Sequence, residues 1–142
     1  MARLLQKMVS GDGGRADEPA LIDRHGITSW GELDERVNRL VHLLRSLGVQ
    51  PGERVAILSG NHGEVFEVIQ AVAHSRIRLF PINRHVAVEE VRYVVENSGS
   101  RVLFVDPAYA AAADGIDLPR FDFVDREAGS GAESTYEAAL AG

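Results

Sequence analysis

Three short polar segments follow predicted buried strands and carry the side chains best suited to contact a ligand. The first is residues 59–63 (SGNHG), the second is residues 81–85 (PINRH), and the third is the dipeptide Asp106-Pro107. In an open parallel sheet, ligands bind beyond the carboxyl ends of the strands and beside helix N-termini, where main-chain N–H groups attract anions. Asn61, Asn83 and Arg84 are therefore the candidate contacts for a substrate or nucleotide.

Each segment also has a purely structural interpretation. For Asn61 we favour the role of N-cap of the next helix, because asparagine often accepts a hydrogen bond there. Asn83 and Arg84 can equally well tie down their own loop. Asp106 before a proline is typical of a helix start, with the carboxylate as the cap and the proline in the first turn. Segment 59–63 matches neither the G-x-G-x-x-G motif nor the lysine-containing Walker A loop.

Positive charge is concentrated between residues 74 and 85, where Arg76, Arg78 and Arg84 occur without an acidic residue. A strand over 77–82 places Arg76 and Arg78 on one face, although a central parallel strand is apolar on both faces. The favoured interpretation is a solvated edge, because exposed charges contribute little to stability. The alternative is that Arg76 and Arg78, together with Arg84, form a patch that contacts a phosphate or a protein partner.

The composition argues against several other kinds of site. The chain has no cysteine, which removes thiolate nucleophiles and disulfides, and its five histidines lack the spacing of a metal site. No serine lies in a G-x-S-x-G motif, and no catalytic constellation is found. The net charge of −6 argues against a nucleic-acid partner. No apolar run predicts a membrane span or a signal peptide, so a cytoplasmic protein without a metal site is predicted.

Strands that alternate with single helices predict how the polar segments are positioned. Strands are predicted at 54–58, 77–82, 101–105 and 121–124, and helices at 64–73, 88–97, 108–113 and 133–140. A capping box at Ser29 and Glu32 begins an earlier helix that ends at Gly48. Residues 2–9 are predicted to form a short helix, 10–19 a flexible loop, and 20–28 a hairpin that turns at 24–26. The 142 residues are thus predicted to form one α/β domain. Its sheet is layered and mostly parallel, with helices on both faces and a short N-terminal β-hairpin.

Helical periodicity also predicts which side chains are buried. In the helix after Ser29, Arg36 falls on the solvent side, and the buried positions are Leu33, Val37, Leu40, Val41, Leu44 and Leu47. In the helix over 64–73, the predicted apolar stripe consists of Val65, Val68, Ile69 and Val72.

The region from about Ala20 to Asp106 resembles the amino-terminal part of the adenylate-forming, or AMP-binding, enzymes. These are the acyl-CoA and aryl-CoA ligases, luciferases and adenylation domains. The block GVQPGERVAIL, followed by Asn61, is similar to the family's GV-PGD-VAI-L-N, and ITSWGEL is similar to its TY-EL. The tail ESTYEAAL, residues 133–140, also looks like family sequence. The chain departs from the family pattern at Arg76-Ile77, where Gly-Ala is common, and after Asn83, where two prolines are missing.

The resemblance implies an enzyme that uses ATP and Mg²⁺ to convert a carboxylic acid into an acyl-adenylate. Many such enzymes then transfer the acyl group to CoA or to a carrier protein. It also implies that the phosphate loop, the adenine and ribose contacts, and the C-terminal domain with its catalytic lysine lie beyond residue 142. We therefore expect no catalytic residue within this chain and no turnover by the chain alone.

Three hypotheses follow. The favoured one is the N-terminal part of an acyl-CoA ligase, which serves as a structural part of the acid- and nucleotide-binding domain. The second is a non-catalytic protein-interaction module descended from such an enzyme. The third is a small nucleotide- or CoA-binding domain that uses segment 59–63. An incomplete sheet would expose apolar surface, so a homo-oligomer, or a complex with the rest of an enzyme, is expected.

Overall fold

A computed structural model describes residues 15–24, 26–125 and 134–142. The strands in this part of the chain are β1 (Pro19–Asp23), β2 (Gly26–Ser29), β3 (Arg54–Leu58), β4 (Arg78–Pro81), β5 (Ser100–Val105) and β6 (Arg120–Asp122). The helices are α1 (Trp30–Ser46), α2 (Gly63–Ser75), α3 (Val88–Ser98), a 3₁₀ helix (Pro107–Ala113) and α4 (Thr135–Ala141). The helix predicted over residues 2–9 lies outside the described residues.

The N-terminal hairpin and the helix after it have the predicted form. Strands β1 and β2 pair antiparallel, with Ile22 opposite Ile27. Ser29 and Glu32 form the expected capping box at the start of α1, each accepting a hydrogen bond from the main-chain N–H of the other. Gly48 follows this helix with a φ of 78°, in the left-handed region that glycine adopts without strain. The main-chain N–H of Val49 then donates to Leu44, which closes the C-terminus of the helix.

The main sheet is parallel and has the strand order β4-β3-β5-β6. Alternate residues of its two central strands face opposite sides of the sheet. On one side α1, α2 and α4 cover Val55, Ile57, Val102 and Phe104. On the other side α3 and the 3₁₀ helix cover Ala56, Leu58, Leu103 and Val105. The prediction of a mostly parallel α/β sheet with helices on both faces is confirmed.

Strand β4 lies at an edge of the sheet and is shorter than the predicted strand 77–82. Arg76 is not part of it, because this residue ends α2 in the left-handed conformation, with a φ of 58°. Arg78 begins the strand, and both arginine residues are exposed. An edge strand borders solvent along one side, so it tolerates charge that a central strand would exclude. This arrangement agrees with the solvated edge favoured from the sequence.

The buried face of α2 differs from the apolar stripe predicted for this helix. Its buried residues are Glu64, Glu67, Val68, Ala71 and Val72, whereas Ile69 is 39% exposed and Phe66 is 53% exposed. The prediction for Ile69 was therefore wrong. Two glutamates turn inward because each has polar partners in the interior, which offset much of the cost of removing their charge from water.

Arg36 is the second exception, because it joins three helices instead of facing solvent. Its guanidinium donates from Nε to Oε1 of Glu67 (2.7 Å) and, by two further N–H groups, to both carboxylate oxygens of Glu137 (2.6 and 3.0 Å). The Tyr136 hydroxyl donates to the second oxygen of Glu67 (2.6 Å). We call Arg36, Glu67, Tyr136 and Glu137 the Arg36 network. It ties α4 to α1 and α2.

The burial of this network alters the proton affinity of its members. Burial raises the pKa of Glu67 above its usual value, and the hydrogen bonds from Arg36 and Tyr136 only partly oppose this rise. Burial, followed by the nearby Glu67 charge, likewise raises the pKa of Tyr136. The hydrogen bonds to Glu137 and Glu67 raise the pKa of Arg36, which therefore stays charged.

Among the residues that the structure describes, no helix combines the length and the apolar character needed to cross a bilayer.

Candidate functional site

The carboxyl ends of β3 and β5 meet at the point where the strand order reverses. The chain leaves β3 toward β4 on one side and leaves β5 toward β6 on the other, and the two following helices lie on opposite faces of the sheet. Such a switch point opens a crevice that ligands use in α/β proteins. Here it contains a groove of about 1040 Å³. The hairpin lines the groove with residues 21–24. The loop after β3 contributes residues 60–62, and α2 contributes residues 63, 65, 66 and 69. The other lining residues are 84, 106–109, 124 and 125.

Asp106 joins the two loops at the base of this groove. The residue is 7% exposed. Its Oδ2 accepts a hydrogen bond from the main-chain N–H of Gly60 (3.2 Å), and its Oδ1 accepts one from Ala108 (3.0 Å). The predicted cap of the 3₁₀ helix is thus confirmed. The same carboxylate also fixes the loop after β3, so it sets the spacing between the two sides of the groove.

His62 lies beside Asp106 and directly precedes α2. Its Nδ1 is 2.7 Å from Oε2 of Glu64, and its Nε2 is 3.8 Å from Oδ1 of Asp106. The imidazole stacks on the ring of Phe123, with ring centroids 5.8 Å apart. His62, rather than Asn61, occupies the N-cap position, and it makes no side-chain capping hydrogen bond. The favoured capping role of Asn61 was therefore wrong. Helix α2 therefore begins at Gly63.

Arg84 extends over Gly60 at the mouth of the groove. A Cβ placed on Gly60 would lie 3.0 Å from Nη1 of Arg84 and 3.8 Å from the Tyr109 hydroxyl oxygen. The absence of a side chain at Gly60 therefore lets the guanidinium approach the backbone closely. Arg84 is exposed and makes no hydrogen bond or ion pair with the residues that the structure describes. Its N–H groups are available to an anion that enters from solvent.

The structure brings only some of the predicted site residues together. Asn61 and Arg84 line the groove, and Asn61 is exposed there. Asn83 does not line it. Instead its Oδ1 accepts a hydrogen bond from the main-chain N–H of His85 (3.0 Å), which is the loop-fixing role considered from the sequence. Arg76 and Arg78 lie at the amino end of β4, away from Arg84 beyond the carboxyl end of that strand. The three arginine residues therefore do not form one cluster.

Sequence reasoning did not single out His62, although segment 59–63 contains it, and it missed Tyr109 of the groove and Glu64, which contacts His62. His62 and Glu64 carry a weak signal, because both follow a buried strand where ligand contacts are expected. The link from Asp106 to Gly60 spans 46 positions. Local spacing contains no sign of such a contact. Within the described residues, no group of acidic, histidine or cysteine side chains is arranged to hold a metal ion.

Replacing Asp106 by alanine should loosen the groove and destabilise the protein by about 1–3 kcal/mol, because two main-chain N–H groups lose their acceptor in a site shielded from water. Asp106→Asn is the matched control, since its amide oxygen can still accept one of the two hydrogen bonds. The free energy of unfolding from urea denaturation measures both changes. Equal stability of the alanine variant and the native protein would contradict the bridging role.

The comparisons with known proteins agree with this architecture. The sequence model of the family described as "AMP-binding enzyme" matches residues 12–137 of the 142. The chain belongs to the AMP-binding enzyme family. This membership confirms the resemblance seen in the sequence.

Several members of the AMP-binding family are similar in sequence. The chain is 38% identical to a feruloyl-CoA synthase from Amycolatopsis sp over 98 residues, which cover 68% of this chain and 20% of that protein. It is 34% identical to a 3-hydroxybenzoate–CoA ligase from Aromatoleum sp over 97 residues, covering 68% of this chain and 18% of the relative. The chain spans about a fifth of the length of these curated relatives.

Solved structures of AMP-binding enzymes show the same fold. A benzoate CoA ligase from Burkholderia xenovorans superposes with a TM-score of 0.79 at 21% identity, over 99% of this chain and 28% of the ligase. A putative long-chain-fatty-acid CoA ligase from Rhodopseudomonas palustris gives a TM-score of 0.79 at 25% identity, over 97% of this chain and 35% of that chain. The arrangement of strands and helices described above therefore recurs within larger ligase chains.

Proposed function

We propose that this chain forms the N-terminal part of an ATP-dependent acyl-CoA or aryl-CoA ligase. In this role it is a structural part of the acid- and nucleotide-binding domain and provides one wall of the substrate site. The observation that carries the proposal is the groove at the carboxyl ends of β3 and β5 in a chain of the AMP-binding family. ATP, Mg²⁺ and CoA are the cofactors of the complete reaction, and a cytoplasmic location fits these soluble substrates.

The polar end of the groove fits an anionic group of such a substrate. Arg84 lies over Gly60 and has no hydrogen-bond partner among the described residues, and the exposed Asn61 lines the same groove. The N-terminus of α2, a helix of 13 residues, borders the same space through Gly63, and the dipole of a helix favours negative charge at this end. ATP, the acyl-adenylate and CoA all carry phosphate groups, which these donors recognise. Asn83 supports the loop that carries Arg84.

The proposed wall does not complete the chemistry. Acid activation releases pyrophosphate, whose charge must be neutralised by several donors and a metal ion as it departs. The cationic side chains that line the groove are Arg24 and Arg84. We therefore propose that the remaining donors come from another part of the enzyme. Arg76 and Arg78, at the opposite end of β4, are candidates for contact with that part or with another protein.

Arg84→Ala is expected to weaken the binding of CoA or ATP about tenfold, because one charge-assisted hydrogen bond to a phosphate is lost. Arg78→Ala is the matched control and should leave binding unchanged, since Arg78 is also exposed but lies at the far end of β4. Thermal shifts in titrations with ATP, AMP and CoA give the affinities, because a ligand stabilises the folded state by RT ln(1 + [L]/Kd). If both variants lost affinity equally, or if neither substitution changed the affinity, the proposed site would be contradicted.

Pyrophosphate release tests the structural role separately. The chain alone, supplied with ATP, Mg²⁺ and a series of aromatic and fatty acids, should release none above the background rate. Turnover by the purified chain would show that it is a complete enzyme and would overturn the proposed division of the site.

A further inference from the structure

Arginine residues are concentrated at the amino end of the main sheet, at the opposite end of its strands from the groove. Arg54 begins β3, Arg78 begins β4, Arg101 is the second residue of β5, and Arg76 ends α2 shortly before β4. All of them are exposed. We call Arg54, Arg76, Arg78 and Arg101 the arginine rim. The rim is a local region of positive charge on a chain whose net charge is −6.

Backbone contacts hold the members of the rim close together. Arg54 and Arg78 are register partners in adjacent parallel strands, so their side chains leave the same face of the sheet, from backbones about 4.8 Å apart. The carbonyl of Arg76 and the N–H of Arg78 each form a hydrogen bond with the turn at residues 52–53 (2.9 and 2.8 Å). The two arginine residues therefore lie on the same turn.

Two members of the rim have partners within the chain. Nη1 of Arg101 is 3.6 Å from Oε1 of Glu53. Arg54 donates from Nη1 to the carbonyl of Ser98 in the last turn of α3 (2.9 Å), where a cation also offsets the helix dipole. Within the described residues, one carboxylate thus contacts the four guanidinium groups, and the rim keeps a positive charge.

The side chains of Arg76 and Arg78 have no such partner. Neither makes a hydrogen bond or an ion pair with the residues that the structure describes. They are not needed to cap α2 either, because main-chain N–H groups already donate to the carbonyls of Val72 and Ala73 at the end of that helix. Both guanidinium groups are therefore available to another molecule.

The backbone of Arg76 gives an independent indication of function. Its φ of 58° lies in the left-handed region, and it is the one non-glycine residue with a positive φ in the described part of the chain. Glycine usually ends a helix in this conformation, because any larger residue is strained there. The chain thus keeps a strained arginine at a position where glycine would be more stable. Strain of this kind is concentrated at functional sites.

The spacing and the chemistry of the rim favour an acidic helix as its partner. Carboxylates one turn apart on a helix have Cβ atoms about 5–6 Å apart, which matches the separation of Arg54 and Arg78. A guanidinium group binds a carboxylate through two parallel hydrogen bonds. A long polyanion, such as a nucleic acid or a charged membrane, would also extend over the acidic remainder of the chain, which would repel it.

We infer that the arginine rim binds an acidic α-helix of a separate protein. Arg54 and Arg78 contact carboxylates one turn apart on that helix, and Arg76 supplies a third guanidinium group from the adjoining turn. The partner covers the end of the sheet opposite the groove. The inference therefore does not depend on the proposed function, and a ligand in the groove and the acidic helix can bind at the same time.

Fluorescence anisotropy with a labelled peptide tests the inference on the full 142-residue chain. The peptide is a helix of about 20 residues with glutamates four positions apart on one face, and its control carries glutamine instead. The glutamate peptide is expected to bind roughly tenfold more tightly. Arg78→Ala should weaken its binding about fivefold. Arg39→Ala should leave it unchanged, because Arg39 is also exposed but lies in the middle of α1.

Arg76→Gly separates binding from stability. This variant should weaken the glutamate peptide about fivefold, as Arg78→Ala does. It should also raise the melting temperature by about 2–4 °C, because glycine relieves the strain of the left-handed backbone. A lower melting temperature together with unchanged peptide binding would mean that Arg76 serves the fold alone, and it would overturn the inference.

Other results would assign the rim to a different ligand. Vesicles that contain phosphatidylserine, or inorganic phosphate, could bind more tightly than the peptide and lose affinity in Arg76→Gly. Light scattering could show self-association of the chain that Arg78→Ala abolishes. Each of these results, or equal binding of the glutamate and glutamine peptides, would overturn the inference. Failure to bind ATP and CoA would contradict the proposed function and leave the rim unaffected.

Discussion

Arg36→Ala is expected to lower the free energy of unfolding by about 3–5 kcal/mol, because it removes the cation from a partly buried ion pair and leaves Glu67 uncompensated. The Glu67 side chain is 6% exposed and that of Arg36 is 28% exposed. Glu137 loses both hydrogen bonds to the guanidinium in the same step. For a chain of this size, the loss corresponds to a fall in melting temperature of about 10 °C or more.

Arg39→Ala is the matched control for this prediction. Arg39 lies one turn further along α1 and pairs with Glu35, but both side chains are more than half exposed. Exposed pairs four residues apart on a helix contribute about 0.3–0.5 kcal/mol. Urea denaturation of the two variants should therefore give clearly different losses. Similar losses would mean that the Arg36 network contributes no more than an ordinary surface pair.

The cost of Arg36→Ala should also depend on pH. Burial raises the pKa of Glu67 in the folded protein, so the stability contributed by this carboxyl is present in acid and decreases as the pH rises through the folded pKa. Removing Arg36 removes the partner that lowers this pKa. The difference in stability between native protein and variant should therefore be smaller near pH 4.5 than near pH 7. A difference that is constant over this range would contradict a buried, ionised Glu67.

Phe104→Ala is expected to lower the free energy of unfolding by about 3–5 kcal/mol, because it leaves a cavity at the centre of the main core. Phe104 is fully buried in β5. Its ring contacts those of Phe121, Phe123 and Tyr136, with centroids 5.9–6.3 Å apart. Phe123 connects it to the groove by stacking on His62, and Tyr136 connects it to the Arg36 network by donating to Glu67.

Phe66→Ala removes the same side chain from the surface and is the control for Phe104→Ala. More than half of Phe66 is already in contact with water in the isolated chain, so its loss should cost less than about 1 kcal/mol. Thermal unfolding of both variants separates the two positions. A small effect at Phe104 would mean that the aromatic cluster repacks around the missing ring.

The parts of the fold that depend on local patterns could be predicted from the sequence. Local signals alone define both ends of α1. The capping box at Ser29 marks its start, and the left-handed glycine at 48, with the proline turn after it, marks its end. The four apolar residues after Arg54 need cover on both faces, which only a central strand between two layers of helices provides. Alternation of such strands with single helices then determines the parallel sheet.

Contacts between distant residues account for the predictions that failed. Periodicity predicts that Arg36 faces solvent and that Ile69 belongs to the buried apolar stripe of α2. The structure instead turns Glu67 inward, because Arg36 and Tyr136, 31 and 69 positions away, satisfy it there. The prediction for Asn61 failed as well, since His62 occupies the N-cap position of α2. Proximity of the segments after β3 and β5 was predictable, but the bridge from Asp106 to Gly60 was not.

The Arg36 network has a consequence for synthesis on the ribosome. The guanidinium and the Glu137 carboxylate that it holds are 101 positions apart in the chain. While translation proceeds from residue 36 toward residue 137, the nascent polypeptide can form α1, α2 and most of the sheet. However, Glu67 lacks the hydroxyl of Tyr136, and Arg36 lacks the carboxylate of Glu137, until α4 has emerged from the exit tunnel. Helix α4 therefore completes the interior that α1 began.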